Sequence, residues 1–358
     1  MNADMDNILQ EYRERILKAS AYKSALCIQG SGSKQWYGQS PRGEILDTRA
    51  YRGIVAYEPT ELVITARCGT PLSEITAALD QQNQMLAFEP PHFGSAATIG
   101  GVFASGLSGP RRATAGAVRD FVLGATLMDG SGEVLSFGGQ VMKNVAGYDV
   151  SRMLAGSMGT LGLVLDVSLK VLPKPFAETT LAFALSEADA LSRMNQWGGQ
   201  ALPISASAWQ VGRLMLRLSG AEAAVRAAKQ KLGGEEIRNA SAYWESLREQ
   251  SHDFFAQDDE HGLWRLSLPS TTPAMPLTGK SMIEWGGAQR WLFSDEAPQR
   301  IRELATEARG HVTLFRGGDK ASGVFTPLSA PLVKIHRNLK NSFDPAGIFN
   351  PGRMYPDL

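Results

Sequence analysis

The sequence predicts an α+β protein in two unequal parts, and three observations predict it. At 358 residues the chain exceeds one core of the usual size, roughly 150 residues. Short apolar runs bounded by glycine and proline read as strands, and stretches of helical period stand between them. Beyond Pro173-Lys174-Pro175 the texture changes, which sets a domain boundary near residue 175.

The elements follow in order. Met5, Ile8, Leu9, Tyr12, Ile16 and Leu17 recur at helical spacing, an amphipathic helix over 5–17. Ala25-Leu26-Cys27-Ile28 is a buried strand running into the turn Gln29-Gly30-Ser31-Gly32-Ser33-Lys34. Leu62 to Ala66 is a second strand, and Thr70-Pro71 supplies an N-cap and a first-turn proline for a helix over 72–82. From Pro90 to Arg112 glycine and proline are too frequent for a regular element throughout, and a loop of that length is usually functional or disordered. Phe121 to Met128 and Val134 to Phe137 flank Asp129-Gly130-Ser131-Gly132, a hairpin signal. Leu161 to Leu172 is a further strand. Past the boundary, Leu214 to Leu218 reads as a strand and Ala221 to Leu232 as an alanine-rich helix ended by Gly233-Gly234. Residues 253–280 show no periodicity and are assigned no element. No internal repeat is visible.

Composition excludes several classes. Thirty-six basic and 36 acidic residues give a formal charge of +0, so no broad electrostatic footprint for nucleic acid exists. Cys27 and Cys68 form no CxxC pair, which argues against a zinc site or an iron–sulfur cluster in this chain. The five histidines (His92, His252, His261, His311, His336) lack metal-ligand spacing, and no metal is expected. The start lacks an apolar signal segment, and no apolar run reaches the roughly 18 residues of a membrane span. A cytoplasmic protein is expected, reaching the inner face of the membrane only through partners.

The 37 glycines exceed the average of about 7% and cluster. Gly30, Ser31, Gly32, Ser33 and Lys34 follow a strand directly and offer small residues and free amides for a pyrophosphate. Gln35 in the last position breaks GxGxxG, so a Rossmann site is not supported. Gly279-Lys280-Ser281 fails as a phosphate loop because Ala274 stands where its first glycine belongs. Thr98, Ile99, Gly100 and Gly101, then Ala104 and Gly106, place glycines where backbone can approach a flat ligand. Gly156, Ser157, Gly159, Thr160 and Gly162 repeat that economy before a strand containing Val164. Three such segments together imply a phosphate-bearing cofactor.

In this order the segments resemble the FAD-binding domain of the vanillyl-alcohol oxidase class, the PCMH-type flavoproteins, over residues 20–175. The resemblance implies that a loop like Gly30–Ser33 holds the FAD pyrophosphate and a segment like Thr98–Gly101 lies along the cofactor. The stretch 156–162 resembles the class's Gly-Ser-Glu-Gly-Thr-Leu-Gly motif, with Met158 in place of the glutamate. Phe343-Asp344-Pro345 through Asn350-Pro351-Gly352 resembles the C-terminal segment that returns to the flavin. This implies three regions: an FAD domain over 1–175, a reduced cap over 176–300, and a C-terminal segment over 301–358.

Glu89-Pro90-Pro91-His92, Gly109-Pro110-Arg111-Arg112, Val141 to Asp149 and Trp285-Gly286-Gly287-Ala288 are similar to the E-subunit family of bacterial glycolate oxidases. That implies an FAD-binding subunit of a complex oxidising glycolate, a small 2-hydroxy acid, to glyoxylate, beside a second FAD-containing subunit and an iron–sulfur subunit. Single-chain 2-hydroxy-acid dehydrogenases of the class carry His-x-Gly-Asp-Gly-Asn-x-His, which is missing here; Arg316-Gly317-Gly318-Asp319 is at most a remnant. No catalytic residue is assigned. Two alternatives stand beside this reading. An independent dehydrogenase would draw its substrate contacts from Arg111, Arg112 and His92, unless Arg111 and Arg112 instead make salt bridges or subunit contacts; the other alternative is a non-catalytic assembly subunit that binds FAD weakly or not at all. The pyrophosphate loop contains neither histidine nor cysteine, so the FAD is expected to be non-covalent.

Overall fold

The computed structural model describes residues 2–139, 149–256 and 261–358. The expected resemblance over Val141–Tyr148 lies outside them. The N-terminal helix runs Asn2–Tyr22, longer than the apolar pattern alone requires, and buries Tyr12, Ile16 and Ala19. Leu26–Gln29 pairs in parallel with Glu44–Asp47. A five-stranded antiparallel sheet follows in the order Ile54–Glu58, Val63–Arg67, Leu163–Lys170, Val122–Met128, Val134–Gly138. The expected hairpin is present, with Met128 opposite Val134. Leu163–Lys170 is central and largely buried: Leu163 and Leu165 pack under the N-terminal helix, and past a register shift opposite Thr126 and Leu127, Val167 and Leu169 pack against the other side. A strand buried on both faces loses the alternation of a half-exposed one.

The second sheet is eight-stranded and antiparallel throughout, in the order Glu235–Ile237, Ala177–Ala184, Arg213–Gly220, Ile204–Gln210, Lys280–Glu284, Gln289–Ser294, Gly262–Ser267, His311–Arg316. Helices Glu187–Gly198, Glu222–Leu232 and Pro298–Glu307 pack on one face. The opposite face, with Trp291 and Phe315, closes on Tyr37, Leu107 and Met158 from the first half of the chain. Its last strand lies beyond residue 300, so the sheet crosses the boundary expected there.

Three expectations need correction. Pro71, not Thr70, is the N-cap of the helix Leu72–Asp80. The Thr70 hydroxyl instead donates to the Arg67 carbonyl at 2.7 Å and accepts from the Gly53 amide at 2.9 Å. Within the glycine-rich region, Ile99–Ser105 is helical: the Thr98 side chain caps it by accepting from the Gly101 amide, and Gly106 ends it at φ 66°. The stretch left unassigned contains the strand Gly262–Ser267. Arg265 sits there on a buried face beside Tyr37, and a charge at an inward position hides the strand pattern.

Candidate cofactor site

The loop after Leu26–Gln29 lies against the start of the helix Ile99–Ser105. A Cβ on Gly30 would stand 2.4 Å from Thr98 Oγ1, so glycine is what lets the two segments touch. Between them runs a cleft lined by Gly30–Lys34, Thr98, Gly101, Ala104, Met158, Asn350 and Arg353. It continues past Gly100, Gly159, Gly162, Val164 and Cys68, sharing Ile28, Gly30, Gly101, Ala104, Met158 and Asn350 with the first stretch.

The amides of Ser31, Gly32 and Lys34 donate to no acceptor among the described residues. Turn amides left free in this way are an anion cradle. Lys34 Nζ lies 3.1 Å from the His92 carbonyl and 5.5 Å from the Phe93 ring centroid. Burial lowers its ammonium to about 8, against the opposing pull of Glu249. It is therefore mostly cationic at neutral pH, and an anion beside it would restore the upward shift.

Asn350 joins the two ends of the chain at this cleft. Its Oδ1 accepts from the Ile28 amide at 2.9 Å, and its Nδ2 donates to the Met158 carbonyl at 2.7 Å. Lys340 supports the tail from behind, donating to the Thr160 and Phe349 carbonyls and to Asp344 at 2.7–2.8 Å. Thirteen of the eighteen expected site residues line the cleft: Gly30–Lys34, Thr98, Gly100, Gly101, Ala104, Gly159, Gly162, Val164 and Asn350. The other five lie behind it. Ile99 is in the core, Gly106 packs on Gly156, and Ser157 and Thr160 bond within their own turn.

Sequence reasoning missed Tyr37, Ser105 and Arg353, among others that line the cleft. Arg353 donates to the Gln35 carbonyl at 2.8 Å and to that of Gln39, fixing the far end of the loop from the C-terminal tail. Its place two residues after Pro351 was the only signal available.

The substrate contacts considered for an independent dehydrogenase are largely engaged. Arg111 is buried and pairs with Glu89 and Glu178. His92 Nδ1 lies 3.0 Å from Glu249 Oε1, and the same carboxylate accepts from the Phe93 amide at 2.9 Å. Burial raises the Glu249 carboxyl, but those bonds and Arg248 outweigh it and hold it at about 2. Arg112 has no ion pair among the described residues and stacks on Trp285. Among the described residues no group of three or more His, Cys, Asp or Glu could hold a metal, and no helix is long and apolar enough to cross a membrane.

Residues 9–138 match the FAD binding domain family. Over 349 residues, 98% of either chain, the protein is 50% identical to the glycolate oxidase subunit GlcE of Escherichia coli (strain K12). It is 30% identical to the glycolate oxidase subunit GlcD of Bacillus subtilis (strain 168) over 178 residues, 49% of this chain and 37% of that one. Among solved structures, an alkyldihydroxyacetonephosphate synthase superposes with a TM-score of 0.65 at 14% identity, over 96% of this chain and 74% of that one. Fold, cleft and matched domain together define an FAD-binding flavoprotein of the PCMH type. More narrowly, the chain belongs to the family of the glycolate oxidase subunit GlcE.

The residues present fit FAD: free amides and a lysine that suit phosphate charge, and Gly101, where a side chain would enter the cleft. The one cysteine lining it, Cys68, is pushed by burial up to about 12, so its thiol stays protonated and a poor nucleophile. Acid precipitation is therefore expected to release all yellow colour into the supernatant. Flavin retained on the denatured pellet would contradict a non-covalent cofactor.

Proposed function

We propose that this chain is the FAD-binding subunit of a complex that oxidises glycolate to glyoxylate and passes the electrons on through partner subunits, a second flavoprotein and an iron–sulfur protein. The observation that carries the proposal is the cleft itself, closed by residues from both ends of a chain whose similarity to a glycolate oxidase subunit runs nearly full length. Residues 1–175 and the tail hold the cofactor, with Gly30–Lys34 at the pyrophosphate and Thr98–Gly101 along its length. The eight-stranded sheet and its helices form the cap. When bound, FAD supplies the acceptance of a hydride from the hydroxyl-bearing carbon; the protein supplies orientation and electrostatics. Lys34 and the loop amides neutralise the phosphates, and Tyr37, Phe93 and Phe315 close the cap against the loop and exclude water.

Arg111 and His92 are held by carboxylates, so the isolated chain lacks two of the three side chains an independent dehydrogenase would need. It is expected to show little glycolate-dependent reduction of its own flavin. Co-expression with the second flavoprotein and iron–sulfur subunits is expected to restore dye reduction and to raise apparent stability by mass action. Rapid bleaching of the isolated flavin by glycolate would replace the subunit reading with that of an independent enzyme.

A further inference from the structure

A second cavity lies away from the cofactor cleft and shares no lining residue with it. It opens between the helix Glu187–Gly198, the strand Ile204–Gln210 and the turn Trp285–Gly287, with Arg112 at its edge. Its volume is about 500 Å³, within the range of small-molecule sites. Met194, Trp197, Ile204, Leu216 and Trp285 supply apolar walls.

Its polar lining is mostly spent. Asn195 donates to the Leu191 and Ser270 carbonyls at 2.9 Å each. Ser207 accepts from the Gly286 amide at 2.9 Å. Arg112 differs. It is the only charged lining residue, half-buried, with its guanidinium carbon 4.5 Å from the Trp285 ring centroid. Its guanidinium forms no ion pair and donates to no acceptor among the described residues. The charges that bear on it are Arg265 and Arg119, which repel, and Asp120, which alone attracts. A half-buried guanidinium stacked on an indole at the edge of an apolar cavity, with no acceptor on its donors among the described residues, is placed to take an anion.

We propose that this cavity is a binding site for an amphipathic monocarboxylate, its carboxylate paired with Arg112 and its aromatic or branched body against Trp197 and Trp285. A two-carbon hydroxy acid would leave the apolar walls uncovered. A dinucleotide would need a glycine cradle and a second cation, and the lining offers neither. The site is thus distinct in chemistry as well as place from the flavin cleft, and it stands whether or not the glycolate reading holds.

Phenylacetate is a suitable probe, with the neutral phenylacetamide as its control, titrated calorimetrically into the flavin-loaded full-length protein. Phenylacetate is expected to bind at least about tenfold more tightly than the amide, and Arg112→Gln to remove that preference, a difference equivalent to one charge-assisted hydrogen bond. Arg112→Lys, which keeps charge but loses the planar stack and fork, is expected to fall between them. Flavin content and melting temperature of each variant establish that it is folded. Equal binding of acid and amide, no binding of either, or unchanged affinity in a folded Arg112→Gln protein would each overturn the proposal. So would protection of Trp285 fluorescence from quenching only when a partner subunit is added, which would make the cavity a protein contact.

Discussion

Replacing Gly101 with leucine is expected to give a folded protein that purifies almost without flavin. A Cβ at Gly101 would meet only Thr98 Oγ1, at 3.4 Å, so the backbone and its neighbours tolerate a side chain. Gly101 lies in the first turn of the helix Ile99–Ser105, where leaving glycine gains up to about 1 kcal/mol of helix propensity. The rest of the leucine has only the cleft to occupy. Flavin-to-protein ratio should fall about tenfold, equivalent to some 1.4 kcal/mol of binding, and the loss should be larger if the side chain blocks the cleft outright. Gly233→Leu is the comparison. It caps the helix Glu222–Leu232 at φ 67° with nothing within 4 Å, so it should cost about 1 kcal/mol of stability and leave flavin content unchanged. Equal flavin loss in both variants would remove the basis for placing FAD in this cleft. Gly30 would be a poor choice for the same test, because its Cβ would strike Thr98 and disturb the fold itself.

Glu89→Ala is expected to be strongly destabilising. Glu89 lies mostly enclosed between two arginines: Arg217 at 2.8 Å and Arg111 at 3.4 Å. Arg111 also reaches Glu178 at 2.9 Å, and Arg217 lies 5.0 Å from the Trp244 ring centroid. The network ties the loop before residue 112 to two strands of the eight-stranded sheet. Removing its central carboxylate leaves two largely buried cations sharing Glu178, at 2.9 Å from Arg111 and 3.9 Å from Arg217, a loss of about 3 kcal/mol, the lower end of what breaking a buried pair costs. Urea unfolding of wild type and variant measures it; a difference below about 1 kcal/mol, the size of an exposed pair, would show that the network does not clamp these parts. Burial pushes the Glu89 carboxyl up, but Arg217 and then Arg111 outweigh it and hold it below its ordinary value of 4.5. A depressed folded value means the contribution is fully present above 4.5 and is lost as pH falls through the folded value. The gap between wild type and Glu89→Ala should accordingly close on acidification.

Much of the first half was legible because local chemistry and tertiary role agree there. The hairpin at Asp129–Gly132 and the strand Leu26–Gln29 declare themselves by turn residues and apolar runs. The helix Ile99–Ser105 did not, because Gly100 and Gly101 occupy its first turn and depress its propensity; the Thr98 cap and surrounding packing decide the matter. The strand Gly262–Ser267 was hidden for another reason, since Arg265 and Trp264 face different clusters and neither side is cleanly polar. In the cleft, glycines could be read as places without side chains, while Tyr37 and Arg353 could not, because each stands just past a recognised segment, after Lys34 and after Asn350, where no motif marks it. Ile99 and Thr160 show the converse: a motif names neighbours of a ligand together with residues that only hold those neighbours in place.

The bonds of Asn350 to Ile28 and Met158 span 322 and 192 positions of the chain. Synthesis proceeds from the N-terminus, so the strand leading into Gly30–Lys34 and the turn at Met158 leave the ribosome before the residue that fastens them together. Until then the loop has no fixed far wall, and contacts of such separation are the slowest to form. Flavin capture thus becomes a late event: the nascent chain commits to cofactor only once Asn350 has emerged and folded back.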